Sequence, residues 1–244
     1  WYGQSMDVGL LGTPQRWVNV LGNVSDPDGI QSLTYSLNDG PIVTMGVGPD
    51  DRRLANEGDF NADILIDDLV VGLNQVEFTS TDGAGNSESA TVAITRHAPV
   101  TWDLPEFIDW SSATMVTDKV QPVDGLWSLD TDNSLVRVDP EFAGYDRLLA
   151  IGETTWTNYE VTVPVTFNQF VPSGPVSGEP AFGLIAGWNG HNDPVDSGSH
   201  PQQGFRAAPT GQTPTPFAAI AWWRNGRPRI VDKNTSLIAS GSSL

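Results

Sequence analysis

Two stretches of this chain set a large aromatic ring beside planar polar groups: Trp188-Asn189-Gly190-His191 and Trp222-Trp223-Arg224. That combination can hold a sugar. The ring gives an apolar platform for a C–H face, and Asn, His or Arg fixes orientation by hydrogen bonds. Trp188, Asn189, His191, Trp223 and Arg224 are therefore the candidate ligand-binding residues. On an alternating strand Trp222 and Trp223 face opposite ways, leaving one exposed or at a rim and the other in a core. Trp127 and Trp156 read as packing residues.

Covalent catalysis finds little to work with. There is no cysteine, which removes disulfides, thiolate metal sites and cysteine nucleophiles. His97, His191 and His200 stand in no recognisable nucleophile context, and Gly-x-Ser-x-Gly is absent. His97 reads as a linker residue. Asp63, Asp67 and Asp68 cluster, but beside apolar residues, as strand-end and turn positions. Asp50-Asp51-Arg52-Arg53 reads as a surface loop with ion pairs of little weight.

These groups must be positioned by strands. Trp156–Phe167 alternates, with Tyr159, Val161, Val163, Val165 and Phe167 on one side. A period of two is what a half-buried strand needs. Residues 16–21, 33–37, 62–66, 75–80 and 90–95 give further strands, and Asn38-Asp39-Gly40 supplies a turn. Strands are also expected at 127–129, 135–138, 144–152, 181–188, 217–223 and 229–231, with Asn225-Gly226 as a hairpin turn. The 25 glycines and 18 prolines are scattered, as many short turns require. No long amphipathic helix is supported, so the fold class is all-β.

The 244 residues carry a net charge of −18, shared by both halves: 14 acidic against 4 basic residues precede His97. Such a field repels phosphate backbones, so nucleic acid is not an expected partner. No apolar run approaches the roughly 20 residues that span a bilayer, so no membrane insertion is expected in this fragment. The chain begins at Trp1 without a methionine and reads as a fragment or a processed product. Asn23-Val24-Ser25 and Asn234-Thr235-Ser236 match the glycosylation sequon, which matters only for secretion by a eukaryote.

Asp26-Pro27-Asp28-Gly29 between two strands, and Thr81-Asp82-Gly83-Ala84-Gly85-Asn86 before the last strand of the first half, together resemble bacterial immunoglobulin-like and cadherin-like modules. The resemblance covers most of residues 15–96. It implies Ca2+ bound by Asp26, Asp28 and Asp82, since oxygen ligands from loops suit that ion. Asp26 and Asp28 also suit the plainer role of Asx hydrogen bonds that shape the turn itself.

The order of strands from Trp127 onward is similar to the concanavalin A-like jelly roll of laminin-G-like and legume-lectin-like domains. The loop after Trp188 would then sit where lectin-type calcium sits, making Asn192, Asp193 and Asp196 further metal candidates. Its spacing is not that of an EF-hand, and a polar surface loop is the plain alternative. Related jelly-roll hydrolases carry E-x-D-x-x-E on one strand. Here the Trp156 strand holds only Glu160, so the two acids of glycoside hydrolysis cannot be assigned.

The expectation is two β-sandwiches in series: an immunoglobulin-like or cadherin-like sandwich over 1–98, then a concanavalin A-like jelly roll over 99–244, incomplete at its C-terminus. The functional expectation is a non-catalytic carbohydrate-binding or adhesion region of an exported bacterial multidomain protein, extracellular or at the cell surface. Its partner would be a glycan or cell-surface ligand. The alternatives are an accessory region of a glycan-degrading enzyme whose catalytic domain lies elsewhere, or a structural spacer.

Overall fold

A computed structural model describes residues 1–50, 53–98, 100–130, 135–138, 147–165, 181–188, 190, 219–224, 227–232 and 237–240. Among these the fold is all-β. The helical pieces are three-residue 3-10 turns at Ile66–Asp68, Trp110–Ser112 and Val116–Asp118.

The first part holds seven strands: β1 Ser5–Val8, β2 Trp17–Asn23, β3 Ile30–Leu37, β4 Val43–Met45, β5 Asp59–Leu65, β6 Gly72–Asp82 and β7 Ser87–Arg96. Five form one sheet in the order β1-β7-β6-β3-β4, antiparallel except for the parallel β1–β7 edge. β2 and β5 form a separate antiparallel pair, from Trp17 opposite Leu65 to Asn23 opposite Asp59. The two sheets share one apolar core. Leu33, Tyr35, Val76, Phe78 and Ile94 come from the larger sheet; Val18, Val20, Phe60, Ala62 and Ile64 come from the pair. Phe78 sits 5.3 Å from Phe60 and 6.0 Å from Tyr35, ring centre to ring centre. In β3 and β6 alternate residues are buried, as one covered face demands.

Turn chemistry matches the sequence. Asn38 and Asp39 both have positive φ, at 50° and 56°, and Gly40 N–H donates to Leu37 O at 2.8 Å. Two consecutive left-handed residues define a type I′ turn, which Asn and Asp tolerate best after glycine.

β2 and β5 depart from the half-buried pattern. Both are buried almost along their full length. Their apolar face packs into the core, and their other face lies under β8 Gln121–Asp124. β8 pairs with β11 Leu148–Ala150, while β9 Trp127–Asp130 pairs with β10 Leu135–Val138. A four-stranded antiparallel sheet follows in chain order: β12 Ala181–Ala186, β13 Ala219–Arg224, β14 Arg227–Asp232 and β15 Leu237–Ser240. Arg224 faces Arg227 in register; Asn225-Gly226, the hairpin turn expected from the sequence, lies outside the described residues.

The alternating stretch from Trp156 differs from expectation. Residues 156–165 belong to no ladder, and Val161, Val163 and Val165 are exposed. Alternation assigns side chains to two faces; it does not supply the neighbouring N–H and C=O groups that make a strand.

Candidate functional site

The β2–β3 loop and the β6–β7 hairpin meet at one end of the first part. Asp26 begins a turn: its carbonyl accepts from Gly29 N–H at 3.0 Å, and its Oδ1 accepts from Asp28 N–H at 2.8 Å. Pro27 suits the second position of that turn, and Gly29 takes φ +78°. Asp82 is held more firmly. Its Oδ1 accepts from the N–H groups of Ala84 and Asn86, at 2.9 and 2.8 Å, and its Oδ2 accepts from the Asn86 side-chain amide at 2.8 Å. The two loops are tied where Gly83 N–H donates to Gly29 O at 3.2 Å. A Cβ on Gly83 would lie 2.6 Å from Asp28 O, so only glycine permits this approach.

The result is a cluster in which one carboxylate oxygen each from Asp26, Asp28 and Asp82 lies within 4.8 Å of the others. Ca2+ holds oxygens at about 2.3–2.6 Å, so ligand oxygens up to roughly 5 Å apart suit one ion. The Asn86 side-chain amide, helped by the backbone N–H groups of Asn86, Ala84 and Gly85, holds the Asp82 carboxyl below its ordinary range. The group is therefore ionised, as a hard-cation ligand must be. The Asx turn proposed for Asp26 is present too, on the same side chain.

The described members of the remaining sequence candidates stand on other elements. Trp188 is half-buried just after β12. Trp223 and Arg224 occupy β13 positions opposite Phe182 and Ala181. Asn189, His191, Asn192, Asp193 and Asp196 lie outside the described residues.

A second polar cluster lies between β2–β5 and β8, and sequence reasoning missed it. Arg53, read as a surface loop residue, is buried. Its guanidinium grips Asp63 with two bonds, NH1 to Oδ2 at 2.9 Å and NH2 to Oδ1 at 3.1 Å, while Nε donates to Asp124. Asp63 is not at a strand end but inside β5, opposite Asn19. Asn19 donates to Asn61 Oδ1 at 2.9 Å and to Asp63 Oδ1 at 2.5 Å, and accepts from Gln15 at 2.6 Å. Asn61 in turn donates to Val123 O at 2.7 Å. Burial alone would lower the Arg53 pKa; the charges of Asp124 and Asp63 outweigh it and raise the value. Asp63 and Asp124 are two buried acids, both bound to one arginine. Neither can serve as a general acid or base in that state. The signal for them is the polar run Asp59, Asn61 and Asp63 at alternate positions in β5, but that pattern reads equally well as a wet face.

Comparison of the chain with protein-family models, with curated proteins and with solved structures finds no match. No helix among the described residues is long and apolar enough to cross a membrane.

Proposed function

We propose that this chain is a calcium-binding, non-catalytic region of an exported multidomain protein that binds carbohydrate or mediates adhesion. In this reading an immunoglobulin-like or cadherin-like sandwich over 1–98 supports a concanavalin A-like jelly roll over 99–244. The observation that carries it is the convergence of Asp26, Asp28 and Asp82 from two loops that are far apart in sequence. Three carboxylates would supply half of a six-oxygen shell, with carbonyls and water completing it. The engagement of Asp63 and Asp124 by Arg53 supports the non-catalytic part of the reading.

Thermal unfolding with and without Ca2+ tests it. An ion bound only by the folded state adds about 2.7 kcal/mol at a hundred times its Kd. The melting temperature should rise with Ca2+, and Asp28→Asn should abolish the rise. No shift at about 10 mM Ca2+, well above the range of weak extracellular sites, would refute the calcium assignment.

A further inference from the structure

After β7 the chain runs back along the Leu10-Leu11 segment, with Val100 N–H directed at Gly9 O, 3.4 Å away. Trp102 N–H donates to the Glu153 carboxylate. This path creates an open groove of about 380 Å³, lined by Trp102, Asp103, Glu106, Phe107 and Lys119 together with Leu10 and Val100. The volume falls at the small end of the roughly 300–1,000 Å³ typical of small-molecule clefts, too small to seat a folded partner.

Its chemistry is mixed in a particular way. Phe107 is 83% exposed, and Leu10 and Val100 are about half exposed beside it. Single exposed apolar residues need no explanation; here Phe107, Leu10 and Val100 share one concavity. Among them stand two exposed carboxylates, Asp103 and Glu106, and the ammonium group of Lys119. A sugar ring presents an apolar C–H face and an edge of hydroxyl donors and acceptors. Aromatic faces, carboxylate acceptors and an ammonium donor match both parts. The Trp102 ring is already oriented, packed at 5.8 Å and 60° on Trp156, which itself lies 5.9 Å from Tyr159. A platform fixed before binding costs little ordering entropy.

We infer that the groove bounded by Trp102 and Phe107 binds a short stretch of neutral glycan, deepening the carbohydrate-binding reading on which it rests. The net charge of −18, with Asp103 and Glu106 in the groove, disfavours uronate-rich or sulfated chains. The same charge disfavours a second copy of this chain as occupant.

Affinity electrophoresis of the full chain through gels containing laminarin, mannan or xylan, with alginate as the anionic control, tests the assignment. Retardation is expected in at least one neutral gel and not in alginate. Phe107→Ala should weaken it roughly tenfold, the loss of one stacking contact. Its melting temperature should stay put because the ring is exposed. Retardation that survives Phe107→Ala but is lost in Trp188→Ala overturns the groove while leaving the carbohydrate reading standing. No retardation by any of the three neutral polysaccharides overturns both. Retardation only in alginate overturns the assignment of a neutral sugar.

Discussion

Replacing Arg53 by alanine should be among the most damaging single changes in the protein. The guanidinium lies between Asp63 and Asp124, whose side chains are 2% and 0% exposed. Its removal takes the guanidinium charge away from two carboxylates in a place that water does not reach. Breaking a buried ion pair in this way costs about 3–5 kcal/mol, because desolvation of the surviving charge is no longer offset. At roughly 2–4 °C per kcal/mol for a chain of this size, the melting temperature should fall by about 6–20 °C. Arg53→Lys keeps the charge but loses the two-pronged grip on Asp63, so it should fall between wild type and alanine. The combination Arg53→Met, Asp63→Asn and Asp124→Asn removes the three charges of this cluster together and should recover most of the loss. Urea unfolding followed by tryptophan emission reads all of this, since buried Trp17 lies in the same contact and changes environment when it opens. The Arg53 pKa is raised, so its contribution is fully present below the ordinary arginine value and is lost only as pH rises beyond it. The alanine effect should therefore be the same at pH 7 and pH 9. A loss below about 1 kcal/mol for Arg53→Ala, or a triple variant no more stable than it, would refute the reasoning.

The other predictions concern turns and titration. The Asp82 carboxyl is held low, so its stabilisation is present above the ordinary aspartate range and disappears as pH falls through its own value. Asn86→Ala should move that carboxyl back up, visible in an NMR titration; an unmoved resonance would deny the role of Asn86. Gly58 has φ +77°, and a Cβ there would lie 1.9 Å from Val24 O. Gly58→Ala should thus cost at least about 1–2 kcal/mol of backbone strain in denaturant unfolding, and a neutral result would mean that the turn is drawn wrongly. Burial pushes the phenols of Tyr2 and Tyr35 up to about 12, Tyr2 despite the Trp127 N–H bond and Arg147, and Tyr35 with help from Asp63 and Asp68. Both contributions are complete below pH 10 and drain away as pH rises towards 12. Phenolate absorbance should therefore show two tyrosines ionising late, and four ordinary transitions near 10 would contradict it.

How far the sequence could be read depended on whether a feature was local. The Asn38-Asp39 turn and the strands around Leu33, Val76 and Ile94 depend on near neighbours, and their period or turn type declares them. The Asp26 turn is equally local, but its meeting with Asp82 came only from a family resemblance, because 56 positions separate the two. Arg53 and Asp124 are 71 apart, and nothing in either neighbourhood signals the other. Asn19, Asn61 and Asp63 are hidden for another reason. Polar residues at alternate strand positions look the same whether water or a closed hydrogen-bond network receives them. Trp156–Phe167 shows the converse limit: the faces are specified, but not the strand that should lie alongside. The groove at Phe107 escaped notice because it is built from a stretch without periodicity.

The double burial of β2–β5 bears on how such a chain can be recombined. A module with one wet face can be cut out and spliced elsewhere, because its surface is already suited to solvent. Here a cut at residue 98 would bare Asn19, Asn61 and Asp63 and take away Asp124, half of the counter-charge of Arg53. Any relative that inherited the first segment alone should have lost the arginine, or replaced the polar face with one that tolerates water. The β2–β5 face thus ties the two segments physically: separating them calls for a change at Arg53 or in the polar face that β8 covers.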